Sequence, residues 1–220
     1  MPEQTQQSRL PKIVVIARDD PRYPAAAMKL LGSDAPERLY ALGNLAILSQ
    51  PLLALFCSTR CPGRVILQTY DTVCALRDAG VTAISGFHSP IEKECLRLLL
   101  RGTQPIVICP ARSIWHRIPS QLKASLGAGR LLILSPFEAK HSRITAETAQ
   151  YRNRFAAALA ARILIPHAAA GSKTEAFARE VEGWGKQEVA LDVLPHEAYV
   201  DELRRTHARK VSFWSRYEEG

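Results

Sequence analysis

Short apolar runs alternate with longer amphipathic segments along most of the chain beyond residue 50. Glycine or proline stands at many borders of the runs, as is typical of buried strands, whereas the longer segments repeat their apolar residues with the helical period. The pattern predicts strands at 52–57, 81–85, 105–109, 131–134, 162–165 and 188–191. It predicts helices around 66–74 and 91–99 and at 120–128, 146–161 and 174–183.

The alternation of strands and helices indicates the fold class. A buried strand followed each time by an amphipathic helix is the pattern of a parallel sheet covered on both faces, because each crossover helix packs back onto the sheet. We therefore expect an α/β, Rossmann-like, doubly wound domain with a mostly parallel sheet and helices on both faces. In such domains ligands bind outside the carboxyl ends of the strands, where the strand order reverses.

The rest of the chain is divided around this core by composition. Residues 1–12 are polar and rich in glutamine, which predicts a disordered N-terminal tail. Residues 13–50 contain several proline and glycine turn signals and are predicted to form a lead-in packed on the core. The core is predicted to span 51–195. Residues 196–220 are polar and basic and are predicted to form a C-terminal helix and tail.

Basic residues are distributed unevenly. The net charge is +8, from 29 Lys and Arg against 21 Asp and Glu, and residues 95–137 contain no acidic residue. The basic residues of that tract are Arg97, Arg101, Arg112, Arg117, Lys123 and Arg130. A long acid-free tract favours a surface kept positive for a polyanion, with chance clustering of arginine as the alternative.

Several functional classes lack their sequence signatures. No apolar run reaches the roughly 18 residues of a membrane span, so no membrane association is expected. The five cysteines show no C-x-x-C spacing and indicate reduced thiols in a cytoplasm. The six histidines show no metal-ligand spacing, and no G-x-G-x-x-G motif follows the first strand. Neither a metal nor another cofactor is therefore expected, and the absence of an acid–base or nucleophilic centre favours a binding protein over an enzyme.

Polar and basic residues cluster where the predicted strands end, and Arg152 and Arg154 flank Asn153 within an alanine-rich helix. Arginine is suited to phosphate because its planar fork donates two parallel hydrogen bonds to the oxygens. The candidate phosphate-binding residues are Ser58, Thr59, Arg60, Ser85, Gly86, Phe87, Arg112, Arg152, Asn153, Arg154, Gly171, Ser172, Lys173 and Thr174. The candidates for stacking on bases are Phe87, Trp115 and Tyr151.

Each cluster also has a purely structural interpretation. Arg152 and Arg154 could simply solvate a helix face. Ser172 with Glu175 matches the capping-box pattern S/T-x-x-E, which needs no ligand, although the same geometry exposes backbone N–H groups that can hold an anion. Glu92 lies on a predicted helix and is expected to face solvent.

In this order and spacing the motifs resemble those of the DprA/Smf family of DNA-processing proteins, over about residues 23–191. Tyr23-Pro24 and residues 35–44 (APERLYALGN) look like the family's lead-in "YP…L…P..LY..GN". The other matches are Ser58-Thr59-Arg60 to "VG[ST]R", Ser85-Gly86-Phe87 to "SG[LM]A", Arg152-Asn153-Arg154 to "RNR", and Gly171-Ser172 with Thr174 to "SG[ST]…T".

The resemblance implies a Rossmann-like core that binds single-stranded DNA, forms a homodimer and helps to load a recombinase during DNA uptake, recombination or repair. The chain departs from the family pattern at several positions. Ser58 replaces the glycine of the "VG[ST]R" loop, and Pro90-Ile91-Glu92 with Leu96 stands where the family has "GID…H". Ser135-Pro136 replaces the family's "SE" strand end.

Two other functions stay open at this point. The same loops could hold a single nucleotide, as in a nucleotide-binding Rossmann-like sensor or a phosphoribohydrolase-like protein. The absence of the family's aspartate and histidine in the "GID…H" region argues against hydrolysis, which needs a placed acid or base. Alternatively, the pocket is degenerate and the basic face contacts an acidic protein partner.

Overall fold

The computed structural model describes residues 12–189, in which eight strands form one sheet and six α-helices pack against it. The strands are β1 (Val14–Ala17), β2 (Arg38–Gly43), β3 (Leu52–Leu55), β4 (Thr82–Ser85), β5 (Ile106–Ile108), β6 (Leu131–Ser135), β7 (Arg162–Leu164) and β8 (Gln187–Val189). The helices are α1 (Ala25–Leu31), α2 (Gly63–Asp78), α3 (Pro90–Leu99), α4 (Ser120–Gly127), α5 (Ala146–Leu159) and α6 (Lys173–Glu182). Short 3₁₀ turns occupy Gly32–Asp34 and Leu45–Ser49.

The strands and helices predicted from residue 52 onward are confirmed as far as the described residues reach. The last predicted strand, at 188–191, lies only partly within them. The N-terminal tail, apart from Lys12, and the basic C-terminal helix and tail at 196–220 lie outside the described residues. The proposed domain borders stay predictions.

The sheet has the strand order β1-β2-β6-β5-β4-β3-β7-β8. Neighbouring strands from β6 to β8 run parallel, while β1 and β2 are antiparallel to their neighbours. The chain proceeds from β3 through β4 and β5 to β6, and then returns to place β7 on the other side of β3. The strand order therefore reverses between β3 and β7, and the carboxyl ends of these two strands border the expected ligand crevice.

The lead-in contributes two strands that the hydrophobic pattern did not predict. β2 pairs with β6 from Tyr40 opposite Ser135 to Gly43 opposite Leu132, and β1 pairs with β2. Tyr40 and Ser135 are far apart in sequence, so the strand is defined by a non-local pairing. Whether a segment forms a strand depends more on such packing than on a local backbone preference. The local sequence pattern of the lead-in therefore showed its turns but not its strands.

The two faces of the sheet carry separate apolar cores. On one face α1, α5 and α6 cover the sheet with buried residues such as Phe155 and Val181. On the other face α2, α3 and α4 do the same with residues such as Leu99 and Leu122. This two-sided burial confirms the doubly wound, mostly parallel class. None of these six helices of the described chain is long and apolar enough to cross a membrane.

The loop at residues 33–36 is clamped between the lead-in and α5. The buried Tyr23 hydroxyl donates a hydrogen bond to a carbonyl of this loop at 2.6 Å, and Arg18 donates to three of its carbonyls. From α5, the Tyr151 hydroxyl donates to the carbonyl of Asp34 at 2.7 Å. The clamp holds the Asp34 side chain beside α5.

Candidate nucleic-acid interface

Ser58 joins the loops that follow β3 and β7 at the switch point. It is buried, its N–H donates to the carbonyl of His167 at 3.1 Å, and its Oγ accepts the N–H of Ala169 at 3.1 Å. The same Oγ lies 3.3 Å from the Oγ of Ser172. The hydroxyl that replaces the family's glycine in the "VG[ST]R" loop therefore links this loop to the start of α6.

Ser172 caps α6. Its Oγ accepts the N–H of Glu175 at 3.1 Å, and the Glu175 carboxylate accepts the N–H of Gly171 at 2.8 Å. Gly171 has a φ of +69°, in the left-handed region that favours glycine. Ser172 is thus confirmed as the cap of α6, although the Glu175 carboxylate accepts from Gly171 and not from the N–H of Ser172 that a capping box uses. Lys173 and Thr174 form the first turn of the helix beyond the cap, and Lys173 is exposed.

Arg152 lies inside the protein, with only 4% of its surface exposed. Its Nη1 donates to the carbonyl of Cys109 at 2.9 Å, just beyond β5, and its Nε donates to the Oδ1 of Asn153 at 2.8 Å. Burial lowers the pKa of this guanidinium, and the nearby Glu92 carboxylate opposes that change. Because α5 turns residue 152 toward the sheet, Arg152 neither solvates a helix face nor presents an open fork to solvent.

Gly86 provides the space for this guanidinium. A Cβ atom at residue 86 would lie 1.0 Å from the Nη1 of Arg152 and 1.8 Å from its Cζ. Any other residue at this position therefore has to displace the guanidinium. The neighbouring Ser85 is fully buried, and its Oγ accepts the N–H of Phe87 at 3.2 Å. In this structure the "SG" turn after β4 is shaped by the contact with Arg152.

The expectation that Glu92 faces solvent is wrong: only 6% of the residue is exposed. Its Oε1 accepts the N–H of Cys57 at 3.1 Å, while Oε2 accepts the N–H groups of His88 at 2.8 Å and Ser89 at 3.2 Å. The carboxylate thus connects the loop after β3 to the loop after β4. Ser89 and Glu92 form a capping box at the start of α3, and the S-x-x-E spacing in the sequence was the signal that could have identified the inward carboxylate.

Among the candidates for stacking on bases, Phe87 is not at the surface. Only 5% of it is exposed, its φ is 47°, and it packs in the apolar core beneath α2, α3 and α4. Tyr151 is half-buried, with its ring centroid 5.7 Å from that of Phe137. Trp115 is half-buried against the same core as Phe87. The buried Phe87 ring can therefore not stack on a base without leaving the core.

Arg154, two residues beyond Arg152, lies at the surface but is held by two carboxylates. Its Nε lies 2.6 Å from the Oε1 of Glu180 on α6, and its Nη1 lies 3.3 Å from the Oδ2 of Asp34 in the clamped loop. Its side chain is 32% exposed. Arg154 thus connects α5 to α6 and to the lead-in, and its charge is largely compensated.

A cleft of about 370 Å³ lies between α5 and α6. It is lined by Gln150, Asn153, Arg154, Lys173, Thr174, Ala176, Phe177 and Glu180. Four of the candidate residues, from two motifs that are distant in sequence, therefore meet at one surface. Lys173 is the basic residue of this lining that has no carboxylate partner among the described residues.

The remaining candidates lie in the neighbouring strand-end loops. Thr59 and Arg60 are exposed after β3, and Arg112 is half-buried after β5 with its carbonyl accepting from the Oγ of Ser135 at 2.8 Å. None of these three residues lines the cleft between α5 and α6. The candidate set thus spans several loops of the carboxyl edge and does not converge on a single pocket.

The cysteines at the strand ends are unpaired thiols in apolar surroundings. Burial raises the pKa of Cys109 to about 12, and that of Cys95, which lies in α3, also to about 12. Thiols with such a high pKa stay protonated and are poor nucleophiles. Within residues 12–189, no three His, Cys, Asp or Glu side chains are grouped as a metal site.

The chain matches the family model described as DNA recombination-mediator protein A over residues 14–204. No curated protein matches the chain. Two solved structures share its fold. The DNA processing protein A of Helicobacter pylori aligns with a TM-score of 0.70 and 18% identity over 89% of this chain and 97% of that one. The structure of that protein concerns its single-stranded DNA binding mode.

The DNA processing protein A of Streptococcus pneumoniae aligns with a TM-score of 0.66 and 19% identity, over 81% of this chain. The alignment covers 62% of the pneumococcal chain, so this chain spans less than two thirds of that relative. At these identities the two structures establish likeness of fold.

Gly86→Ala tests the seat of the buried guanidinium. We expect a loss of about 1–3 kcal/mol in the free energy of unfolding, because the new methyl group has to displace Arg152 in a packed interior. Denaturant unfolding measures this change. Gly127→Ala in α4, where an added Cβ meets nothing within 4 Å, is the matched control and should change stability by less than about 1 kcal/mol. Equal stability of the two variants would contradict the packing argument.

Proposed function

The chain belongs to the DNA recombination-mediator protein A family, and on this premise we propose that it binds single-stranded DNA at the cleft between α5 and α6. The observation that carries the proposal is the meeting of Asn153, Arg154, Lys173 and Thr174 at one surface beside the switch point of the sheet. The Helicobacter pylori relative binds single-stranded DNA.

The start of α6 supplies the first phosphate subsite. The unpaired N–H groups of a helix N-terminus carry partial positive charge and bind anions. Lys173 adds a full charge in the first turn, and Thr174 adds a hydroxyl donor. We propose that these two residues contact the phosphate backbone directly, because Lys173 has no carboxylate partner among the described residues.

The two arginines of the motif have different parts in this proposal. Arg152 positions the loops from inside, since its guanidinium is buried and already hydrogen-bonded. Arg154 lines the cleft, and it binds phosphate only when its ion pairs with Asp34 and Glu180 open. The exposed Thr59 and Arg60 after β3 extend the interface along the carboxyl edge.

The charge distribution supports a polyanionic ligand. The net charge is +8, and the acid-free tract 95–137 includes the loop after β5, where Arg112 lies at the same edge of the sheet. Phosphate contacts provide affinity without sequence preference, so the strand would be bound mainly through its backbone.

The wider role rests on the family. We propose action in DNA uptake, recombination or repair, with a recombinase as partner and a second copy of the chain as dimer mate. A cytoplasmic location is proposed because the cysteines of the described residues are free thiols. These parts depend on the family likeness and the cysteine chemistry, not on the cleft.

Fluorescence anisotropy with labelled oligo-dT strands of increasing length tests DNA binding, repeated across a salt series and with mononucleotides as competitors. We expect affinity to rise with strand length and to fall linearly with salt on logarithmic axes, and mononucleotides not to compete. Absence of binding at low salt would overturn the proposal. Competition by a mononucleotide would instead favour the nucleotide-binding alternative.

Lys173→Met tests the subsite at α6. We expect affinity for oligo-dT to fall by about three- to tenfold and the salt slope to decrease by about 0.7, the value for one phosphate contact on a single strand. Lys93→Met is the matched control, because this exposed lysine lies on α3, on the opposite face of the sheet. An equal loss in both variants would indicate an effect of net charge alone.

Glu180→Gln tests the compensated charge of Arg154. Removing the carboxylate at 2.6 Å should leave the guanidinium available to phosphate and raise affinity for oligo-dT by about two- to fivefold at low salt. Glu182→Gln makes the same charge change at an exposed position of α6 outside the cleft. If Glu182→Gln raises affinity as much, Arg154 has no specific part in binding.

A further inference from the structure

The side-chain amide of Asn153 has one defined orientation. Its oxygen, Oδ1, accepts a hydrogen bond from the Nε of Arg152 at 2.8 Å. A guanidinium nitrogen can only donate, so the amide oxygen, and not the amide nitrogen, must face Arg152. Asn153 lines the cleft between α5 and α6, and within residues 12–189 its Nδ2 has no hydrogen-bond partner.

Arg152 cannot easily move to permit the opposite orientation. The guanidinium is 4% exposed, donates to the carbonyl of Cys109 at 2.9 Å and packs directly on Gly86. A flipped amide would set two donors against each other and leave a buried N–H unpaired, which proteins avoid. The buried arginine therefore determines which group Asn153 offers to the cleft.

Resting on the proposed function, we propose that Asn153 presents only N–H donors to the cleft and binds an oxygen acceptor of the DNA strand. Arg152 is its positioning residue. Two other groups of the cleft agree with this polarity: the Lys173 ammonium only donates, and the Thr174 hydroxyl is able to donate. The Glu180 carboxylate of the same lining is an acceptor, and it is already bound to the Nε of Arg154 at 2.6 Å. The acceptor is a phosphate oxygen or a carbonyl oxygen of a base, and both present the same chemistry to the amide.

Asn153→Asp inverts the polarity of this position at almost constant shape. The carboxylate still accepts from the Nε of Arg152, now as an ion pair, so the fold should be retained and the thermal midpoint unchanged or higher. Toward the cleft, however, the variant offers an acceptor where the strand needs a donor. We expect affinity for oligo-dT to fall by about tenfold or more, because repulsion between the new carboxylate and an oxygen of the strand replaces a hydrogen bond.

Gln150→Glu is the matched control. Gln150 lines the same cleft and undergoes the same change of amide to carboxylate, but no side chain of the described residues fixes its orientation. Its loss of affinity should be about threefold at low salt and should disappear as salt screens the charge, whereas the loss for Asn153→Asp should persist. Equal losses with equal salt dependence, or no loss for Asn153→Asp, would overturn the inference.

A strand with abasic sites separates the two sources of the acceptor. If Asn153→Asp weakens binding of the abasic strand as much as that of oligo-dT, the acceptor is a phosphate oxygen. If the difference between wild type and variant vanishes on the abasic strand, the acceptor is a base carbonyl. Either result supports a donor role for Asn153.

Nuclear magnetic resonance of the wild-type protein provides a test that needs no variant. With ¹⁵N-labelled asparagine, the side-chain N–H resonances of Asn153 should shift on titration with oligo-dT. Unchanged Asn153 resonances while the strand binds would contradict the inference. Absence of any binding by the wild type would instead contradict the proposed function, so the two failures are distinguishable.

Discussion

Burying a guanidinium costs roughly several kcal/mol unless its N–H groups find acceptors and its charge is compensated. Arg152 meets these conditions with the carbonyl of Cys109, the amide oxygen of Asn153 and the nearby Glu92 carboxylate. Each of these groups belongs to a different strand-end loop or helix. The guanidinium also occupies the space that a Cβ atom at residue 86 would need, so this position requires glycine. The carboxyl edge of the sheet is thus organised around one buried cation.

Glu92 extends this arrangement on the anionic side. Its carboxylate accepts N–H groups from the loops after β3 and β4, so the loop that contains Ser58, Thr59 and Arg60 is held by hydrogen bonding to this buried side chain. The family pattern has an aspartate at this position. The longer glutamate of this chain reaches two loops and binds their backbone N–H groups, so the carboxylate has a structural use here.

The three side chains of the "RNR" motif point in different directions and make different contacts. Successive residues of a helix point about 100° apart, so residue 152 faces the sheet, residue 153 lies at the border and residue 154 faces α6 and the lead-in. Asn153 connects the interior to the cleft, because its amide oxygen accepts a hydrogen bond from Arg152 while its amide nitrogen remains available. Arg154 holds Asp34 and Glu180, so its positive charge contributes less to the surface than the sequence implies.

The sequence by itself determined the strand–helix alternation, the fold class, the cap at Ser172 and the family likeness, because these depend on local periodicity and on the spacing of motifs. It did not determine the pairing of β2 with β6, since that ladder joins segments far apart in the chain. Nor did it determine that Arg152 and Glu92 are inside. Charged side chains are ordinarily exposed, and only the packing of α5 and α3 on the sheet creates the buried sites where hydrogen bonds with the backbone of neighbouring loops satisfy these two groups.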